Sequence, residues 1–288
     1  MEIRAYRAEH AAALCHIHNQ ISRETLTAVD FHDDILAHEQ QWVGVVAGEV
    51  VGYTAVSTVP GLPNIRVLRG FIAPVWQRQG LGSQLLKHLI QNLASASPPL
   101  QLSQCTDDTD SAVYHFLRYH NFYTEHEEQH LLHRAAPPLH RPTLSPALYL
   151  TTLPRSQAIS QFLALYDESF GPHPWYQPYT AAEVTASLYA PKDLLFLYHL
   201  DEPIGFAWVR LLALGEGEVE PIGIVSKWQG KGYGRFLLQT AIHSLSSRGV
   251  TRIHIGTWSS NTPALHLYHS LGFEPDHVLT YLAYDIGT

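Results

Sequence analysis

Apolar runs separated by short turn segments predict a β-hairpin at two places in the chain. Trp42–Val46 and Val50–Val56 flank one turn segment, and Leu194–His199 and Ile204–Leu211 flank another. Runs of this length, rich in β-branched and aromatic residues and interrupted by glycine, proline or acidic residues, are typical of strands. We therefore predict two antiparallel strands and a tight connection at each place.

Helical spacing of apolar residues follows each predicted hairpin. The two stripes, at i, i+4 and i+7, are Leu86, Ile90 and Leu93 in the first case and Leu238, Ile242 and Leu245 in the second. The pattern then predicts a strand at 251–257, a short helix at 263–271 and a last strand around 278–284. Strands and helices mixed in this way predict an α/β (α+β) fold, a mixed central sheet flanked by helices.

The chain also repeats itself, which predicts a duplicated domain. Residues 72–86 and 224–238 match at an offset of 152, and residues 110–122 and 261–273 match at nearly the same offset. The matched pairs in the first segment are Ile72 and Ile224, Trp76 and Trp228, Gln77 and Gln229, Gly80 and Gly232, Gly82 and Gly234, Leu85 and Leu237, and Leu86 and Leu238. Four prolines crowd the stretch between the copies and favour an extended spacer. We predict domains at 1–135 and 147–288, joined by a linker at 136–146.

Composition and charge narrow the function classes. The chain has 288 residues, enough for two domains, and its formal net charge of −8 disfavours nucleic acid and mildly favours a cationic substrate. Its two cysteines, far apart, exclude a disulfide framework and suggest a reducing cytoplasm. We see no membrane-spanning run and no metal-ligand spacing among the 19 histidines, and predict neither membrane nor metal binding.

A glycine-rich loop precedes each repeated helix. In the second copy it reads Gln229-Gly230-Lys231-Gly232-Tyr233-Gly234. Glycine permits positive φ and lets backbone N–H groups approach an anion, and a helix N-terminus adds unpaired donors and partial positive charge. The loop is suited to a diphosphate, with Lys231 and Arg235 at its rim. Glycine-rich loops also close ordinary strand–helix turns, so the pattern alone leaves both interpretations open.

These motifs resemble the GNAT acetyltransferase superfamily. Its pyrophosphate loop, [QR]-x-x-G-x-[GA], matches both copies, and its later Asn, Ala, Tyr and Gly-Phe positions are matched by Asn261, Ala264, Tyr268, Gly272 and Phe273. The tandem layout is also similar to the mycothiol synthase family, with local likenesses at 217–224 and 270–273, and implies no particular substrate. The resemblance covers essentially the whole chain as two copies.

The resemblance implies binding of acetyl-CoA. Its diphosphate would lie on the amides of 230–235, and its pantetheine along the strand at Ile224 and Val225, near Asn261. The implied cofactor residues of the second copy are Ile224, Val225, Gln229, Gly230, Lys231, Gly232, Tyr233, Gly234, Arg235 and Asn261. Those of the first copy are Ile72, Gln77, Arg78, Gln79, Gly80, Leu81, Gly82 and Ser83.

Acetyl transfer to an amine requires an acid and a base. An ammonium group near pKa 10 must lose a proton before it attacks, and the departing thiolate benefits from a proton donor. Tyr268 matches the family's acid position. Glu218 and Glu220 share one strand face, and Glu218 is the preferred base. A core tyrosine and a solvated acidic strand face are the alternative interpretations.

The two copies are not equivalent in this respect. Leu117 stands where the second copy has Tyr268, and Arg66 and Leu68 stand at the carboxylate positions. We therefore predict catalysis in the second copy, while the first binds acetyl-CoA without turnover or has a structural role. Tyr114 and Tyr119 lie near Leu117 in the sequence, so a proton donor at a shifted position in the first copy remains an alternative.

The sequence thus favours acetyl-CoA-dependent N-acetylation of a primary amine on a small molecule. An acyl-CoA sensor without catalysis and a protein N-acetyltransferase remain alternatives. Ser169–Thr180, rich in aromatic residues and proline, is the predicted acceptor-facing segment, although a packed loop would have the same composition. A monomer, with the two copies as an intrachain pair, and a homodimer both remain open.

Overall fold

A computed structural model describes residues 1–22, 25–95, 99–134, 147–212 and 215–287 of the chain. The predicted linker at 136–146 lies outside these residues. The described chain forms two compact units, Met1–Glu125 with Tyr281–Thr288 (unit 1) and His126–Thr280 (unit 2). Unit 2 thus includes 126–134 and unit 1 includes 281–288, whereas the repeat assigned these segments the other way. The domain bounds drawn from the repeat remain a prediction.

Among the described residues, unit 1 is a mixed sheet with four α-helices. Its strands are β1 (Glu2–Ala5), β2 (Glu39–Val46), β3 (Glu49–Val59), β4 (Leu62–Ile72) and β5 (Gln101–Thr106), and its helices are α1 (Ala11–Ile21), α2 (Ala28–Leu36), α3 (Leu81–Leu93) and α4 (Ala112–Tyr119). The strands are ordered β1-β2-β3-β4-β5, and only the β4–β5 pair is parallel. The predicted hairpin is confirmed, since Ala47 and Gly48 have the positive φ of a tight turn.

Unit 2 repeats this plan. Its strands are β6 (Tyr123–Arg134), β7 (Leu148–Thr151), β8 (Leu194–His199), β9 (Glu202–Leu211), β10 (Glu216–Ile224), β11 (Arg252–Trp258) and β12 (Glu274–Asp285), and its α-helices are α5 (Arg155–Phe170), α6 (Ala181–Ser187), α7 (Tyr233–Ser246) and α8 (Thr262–Ser270). Of β6 the unit contains the residues from His126 onward, and of β12 the residues up to Thr280. The order β6-β11-β10-β9-β8-β7 contains one parallel pair, β10–β11. The α/β prediction with a mixed central sheet is confirmed.

An aromatic cluster forms the core of unit 2 under α5. The ring of Phe162 meets those of Phe206 and Trp208 edge-on, both at 5.2 Å between centroids. All three side chains are almost fully buried. Phe206 and Trp208 lie two residues apart on β9 and therefore share the face on which α5 packs. This packing fixes α5, and with it the loop that follows at 171–180.

Strands β10 and β11 separate soon after they meet. Among the described residues they pair at three positions, from Glu216 with Arg252 to Glu218 with His254. Strand β11 continues to pair with β6 as far as Trp258, and β10 continues to pair with β9 as far as Ile224. A wedge-shaped gap therefore opens between two strands of one sheet. The β4–β5 pair of unit 1 likewise has three positions, Ile65 to Val67 on β4.

The helices of the described ranges are short. The longest, α5, has 16 residues, and none combines the length and apolar character needed to cross a membrane.

The aromatic cluster predicts the stability of unit 2. We expect Phe162→Ala to lower the free energy of unfolding by about 3–5 kcal/mol, because it removes a fully buried ring and leaves a cavity against Phe206 and Trp208. Urea titration followed by tryptophan fluorescence measures the loss. The matched control is Tyr189→Ala, whose side chain is 88% exposed and should change the value by less than about 0.5 kcal/mol. Equal effects of the two substitutions would contradict the core assignment.

Candidate active site

The glycine-rich loop of unit 2 forms an open cradle at the start of α7. Gly230 and Gly232 have φ of 74° and 83°, which side-chain-bearing residues rarely adopt. Gly232 is the N-cap of α7, and no side chain of the described residues caps this end. A Cβ at either glycine would meet none of the described heavy atoms within 4 Å. The first amides of the helix thus face free space, an arrangement that fits an anion.

Side chains around the loop fix its position. Gln229 donates from Nε2 to the carbonyl oxygen of Ile224 at 2.8 Å, which ties the loop to the end of β10. Gly234 lies where a Cβ would be 3.6 Å from Leu267, so the first turn of α7 sits close against α8. Arg235 donates to Ser270 Oγ at 2.6 Å, and the Lys231 ammonium lies 4.3 Å from the centre of the Trp228 ring. Both cations therefore have partners close to the loop, and their role at the rim of an anion site stays a prediction.

Unit 1 has the same cradle in a modified form. Gly80 is the N-cap of α3 at φ 75°, and Gln77 donates to the carbonyl oxygen of Ile72 at 3.0 Å. Arg78 occupies the position of Gly230 and takes the same left-handed conformation, φ 62°. Ser83 is hydrogen-bonded to His120 at 2.8 Å. The loop geometry thus repeats even where the residues differ.

Two further loop residues of unit 1 have internal partners. Gln79 donates to the carbonyl oxygen of Val75 at 3.3 Å, and the Leu81 side chain is buried at the start of α3. Gly82 lies where a Cβ would be 3.4 Å from the Phe116 ring, as Gly234 does against Leu267. These residues position the cradle, while its open face belongs to Gly80 and the amides that follow.

The edge of β10 that faces the gap directs backbone groups toward it. The Val225 amide donates to Ile204 at 3.0 Å and its carbonyl oxygen accepts from Trp228, so the Val225 backbone is directed away from the gap. Because backbone groups of successive strand residues alternate in direction, Ile222 and Ile224 present theirs to the gap. Of the two predicted strand positions, Ile224 is the one that faces it.

Glu218 and Glu220 lie beside this gap in different electrostatic surroundings. Glu218 Oε2 is 2.7 Å from an Arg210 nitrogen, and the Arg210 guanidinium in turn lies 5.7 Å from the centre of the Trp208 ring. Burial raises the pKa of Glu220 from its usual value near 4.5 to about 7, and the negative charge of Glu218 adds to the shift. Glu218 is thus held in an ion pair, while Glu220 is a carboxyl group that can accept a proton near neutral pH.

A shift in strand register sets Glu220 apart. The β9–β10 pairing is regular up to Val219 with Val209 and resumes at Ile222 with Ala207, so β10 has an extra residue at Glu220–Pro221. Such a bulge redirects a side chain and bends the strand. The Glu220 carboxylate consequently lies across the gap over Gly256 of β11, with Oε2 3.2 Å from where a Cβ on Gly256 would be.

Tyr268 and Asn261 occupy the two ends of α8. Tyr268 is 6% exposed and its ring centre is 5.9 Å from that of Phe273. Burial raises the pKa of Tyr268, and the charge of Glu220 contributes, so the phenol remains protonated at neutral pH. Asn261 caps α8 by accepting from the Ala264 amide at 3.4 Å and donates to Thr257 at 3.0 Å. Asn261 thus has a structural role at the helix start.

Unit 1 lacks the matching chemical groups. Leu117 is buried at the tyrosine position, and Leu68 stands opposite Val56 in an unbroken register where unit 2 has the bulge. Arg66, at the position of Glu218, is paired with Glu39 at 3.0 Å. The difference between the copies therefore extends from residue type to strand geometry.

Sequence reasoning missed three residues of this site. His130 and Glu128 belong to β6, which the repeat assigned to the first half, and Gly256 lies in the middle of β11. His130 is paired with Gly256 across β6–β11, and its ring lies 3.3 Å from where a Cβ on Gly256 would be. The only available signal was the glycine at 256, since glycine inside a strand often marks the close approach of another group.

Aromatic side chains of the 171–180 loop lie at the end of β11. His173 and Trp175 contact Trp258 with ring centres 5.0 and 6.0 Å away, and Trp175 stacks on His126 at 5.0 Å. A cavity of about 110 Å³ lies beside them and is lined by Tyr166, Gln177, Pro178 and Tyr179. Trp258 lies two residues after Gly256 and shares its strand face, which also carries the Glu220 carboxylate.

Comparison with known proteins agrees with this geometry. The model of the acetyltransferase (GNAT) family matches residues 8–122 and 159–273. Two solved structures align with nearly the whole chain: a GCN5-related N-acetyltransferase from Sphaerobacter thermophilus (TM-score 0.71, 18% identity, 99% of this chain and 95% of that one) and a tandem GNAT protein from the clavulanic acid biosynthesis pathway (TM-score 0.65, 13% identity, 100% and 99%). At these identities the likeness concerns the fold.

Curated relatives are similar over shorter segments. A mycothiol acetyltransferase of Corynebacterium glutamicum (strain R) is 30% identical over 123 residues, which cover 41% of this chain and 42% of that protein. A mycothiol acetyltransferase of Renibacterium salmoninarum is 27% identical over 244 residues, covering 79% and 70%. The chain thus matches less than half the length of the first of these relatives.

The raised pKa of Glu220 predicts a pH-dependent stability difference. In the folded state Glu220 stays protonated up to about pH 7, whereas in the unfolded chain it ionises near 4.5, so its contribution to stability is present below 4.5 and lost as pH rises through 7. We expect Glu220→Gln to be more stable than the wild type at pH 8, on the order of 2 kcal/mol, with the gain vanishing toward pH 4.5. Urea titrations between these pH values measure it.

The control for this comparison is Glu274→Gln, an exposed carboxylate at the start of β12. Its difference from the wild type should stay flat over the same range. A Glu220→Gln difference that is equally flat would contradict the raised pKa.

Proposed function

Because the chain belongs to the acetyltransferase (GNAT) family, we propose that it transfers the acetyl group of acetyl-CoA to a primary amine of a small molecule, with the chemistry in unit 2. The observation that carries the proposal is a juxtaposition. Unit 2 combines the open glycine cradle, the gap beside β10, the partly buried Glu220 with its raised pKa, and the protonated Tyr268. Unit 1 has the cradle and the separated strands, with Leu68 and Leu117 at the other two positions.

The residues of unit 2 fit coenzyme A in two places. The amides at the start of α7 would bind the diphosphate, with Lys231 and Arg235 supplying positive charge at the rim. The backbone of Ile222 and the amide of Ile224 would pair with the pantetheine arm, as an added strand pairs with a sheet edge, while the Ile224 carbonyl oxygen is held by Gln229. When bound, acetyl-CoA supplies the activated acetyl group.

Glu220 is the base in this proposal, in place of the preferred Glu218. Glu218 is held in an ion pair with Arg210 at 2.7 Å. A carboxyl group with a pKa of about 7 is matched to accept a proton from an ammonium group at neutral pH. The bulge at Glu220 directs this group toward the gap in which the thioester would lie.

Tyr268 is the acid. Its phenol keeps its proton because burial and the Glu220 charge oppose ionisation, and it can give that proton to the departing thiolate as sulfur leaves the acetyl carbon. In each turnover Glu220 would then take one proton from the amine, and Tyr268 would give one proton to the thiolate. A side chain of leucine, as at the matching position of unit 1, has no proton to donate.

A small-molecule acceptor is supported by the wall around the site and by the relatives. The loop at 171–180 places Trp175 against Trp258 at the end of β11, so the space beyond Glu220 is bounded by aromatic rings. Aromatic faces and carboxylates together favour a cationic amine. The similarity to mycothiol acetyltransferases, over part of the chain, also favours a small acceptor.

Matched glycine substitutions test cofactor binding. Gly232 and Gly249 have nearly the same φ, 83° and 84°, and no described neighbour within 4 Å of an added Cβ. Alanine at either position should therefore cost a similar amount of stability, roughly 1–2 kcal/mol. We expect only Gly232→Ala to weaken acetyl-CoA binding, by tenfold or more in calorimetry with the unit 1 loop disabled by Gly80→Ala in both proteins. Equal affinities in the two folded variants would reject the cradle as the diphosphate site.

An amine-panel assay that follows release of free CoA tests the function as a whole. We expect the wild type to acetylate at least one small primary amine. With that amine, Tyr268→Phe and Glu220→Gln should each lower kcat by about 10²-fold or more with little change in acetyl-CoA affinity, while Glu218→Gln should lower it less. Gly80→Ala in unit 1 should leave most turnover intact. A fully active Tyr268→Phe protein, with chemistry limiting, would exclude the tyrosine as the acid.

A further inference from the structure

His130, on β6, lies close to the proposed base Glu220, on β10. The internal repeat assigned β6 to the first copy and so gave no sign of this proximity. Its Cε1 and Nδ1 atoms are 3.3 and 3.5 Å from the point where a Cβ on Gly256 would lie, and Glu220 Oε2 is 3.2 Å from that point. The absence of a side chain at Gly256 therefore brings the imidazole and the carboxyl group together over the strand. Any other residue at 256 would stand between them.

The far side of the imidazole leads toward solvent. Nε2 of His130 is 3.8 Å from Glu128 Oε2, an ion-pair distance rather than a hydrogen bond, and the ring stacks on His277 with centres 4.6 Å apart and planes 8° apart. The exposed fraction of the side chain rises from 24% for His130 to 42% for His277. The His130 ring thus lies between the Glu220 carboxyl group and the more exposed ring of His277.

The charges that face His130 come from three strands. Glu128 lies on its own strand, Glu218 and Glu220 approach from β10, and Asp276 holds His277 at 3.0 Å on β12. Their net effect raises the pKa of His130, with Glu128 the largest cause and burial opposing. Arg210 of β9, which is ion-paired with Glu218, contributes an opposing positive charge beside the two β10 carboxyl groups.

Acetyl transfer leaves a proton to be disposed of. An ammonium group loses two protons as it becomes an amide N–H. Tyr268 protonates the thiolate sulfur and regains its own proton from one of these two. The other proton must leave the protein in each turnover. The proton taken up by Glu220 lies on a partly buried side chain placed over Gly256. Glu220 has to return to the carboxylate before it can accept again.

We propose that His130 relays this proton, taking it from Glu220 through one bridging water and releasing it to solvent at the edge beside Glu128 and His277. In the transfer the O–H bond of the Glu220 carboxyl group breaks and an N–H bond forms on the imidazole, and the imidazolium then gives a proton to water. His130 acts through Glu220 and is a positioning and relay residue. The assignment rests on the proposed acetyl transfer.

The first experiment does not depend on activity. In protein labelled with ¹⁵N-histidine, the His130 signals are assigned by their loss in His130→Gln, and their titration reports the pKa. We expect Glu220→Gln to shift the His130 titration to lower pH, because the variant removes a neighbouring negative charge, whereas Glu274→Gln should leave it in place. An unmoved titration in Glu220→Gln would overturn the relay, since the two groups would then be electrostatically independent.

The second experiment measures turnover. We expect His130→Ala to lower kcat about tenfold or more, with the acetyl-CoA affinity within about twofold of the wild type. Added imidazole should restore kcat, whereas pyrazole, a ring of the same size and far weaker basicity, should not. His266→Gln, an exposed histidine on α8, is the control and should keep wild-type kcat. Restoration by both rings would mean that His130 merely fills space and would overturn the relay.

Gly256→Ala provides a variant that keeps both functional side chains. Its Cβ would force Glu220 and His130 apart, so kcat should fall and the effect of Glu220→Gln on the His130 titration should shrink. Wild-type kcat in a folded Gly256→Ala protein would overturn the relay. A wild-type protein that acetylates no amine in the panel would reject the proposed function and the relay together, whereas acetylation with unchanged kcat in His130→Ala would reject the relay alone.

Discussion

The organisation of unit 2 depends on a break in hydrogen bonding between two neighbouring strands. Backbone N–H and C=O groups inside a sheet are normally paired, and leaving them unpaired is costly. Strands β10 and β11 nevertheless separate after Glu218, and the sheet remains intact because β9 holds β10 and β6 holds β11 on the outer sides. The gap offers polar backbone at its edge and carries the glycine cradle at the end of β10.

The same gap gives the two carboxyl groups of β10 different surroundings. Glu218 lies where the strands are still paired and where Arg210 can reach it, and it is held as one half of an ion pair. Two residues later the strands have separated, the bulge has turned the chain, and Glu220 lies over Gly256. Burial and the nearby negative charge of Glu218 raise the pKa of Glu220 there, against the smaller opposing effect of Arg210.

Local sequence predicted the parts of the site that local structure builds. Nearby residues determine the hairpin turn at Ala47–Gly48 and the helix after Gly232. They also determine the similar conformation of the two glycine-rich loops. The preference for Glu218 over Glu220 could not be settled that way, because it depends on Arg210 and on a shift in register. His130 was missed for a related reason: β6 reaches β11 across more than 100 residues of chain, and spacing along the sequence carries no information about that pairing.

Helices α1, α2, α5 and α6 were also absent from the predicted elements, although α2 and α6 begin with capping boxes at Thr27 and Thr180. Recognising those boxes would have located two of the four. The box at Thr180 would also have marked the end of the aromatic 171–180 loop, whose His173 and Trp175 rings contact Trp258.

The membership of 281–287 in unit 1 has a consequence for biosynthesis. Leu282 and Ile286 are buried in the core formed with Leu86, Leu102 and Phe122, and the Ile286 amide donates to Leu100 at 2.8 Å. These residues are added to the growing chain after every residue of unit 2. Residues 1–125 of unit 1 therefore emerge from the ribosome before the unit's last strand has been made. Unit 1 can complete its core only after unit 2 has been synthesised.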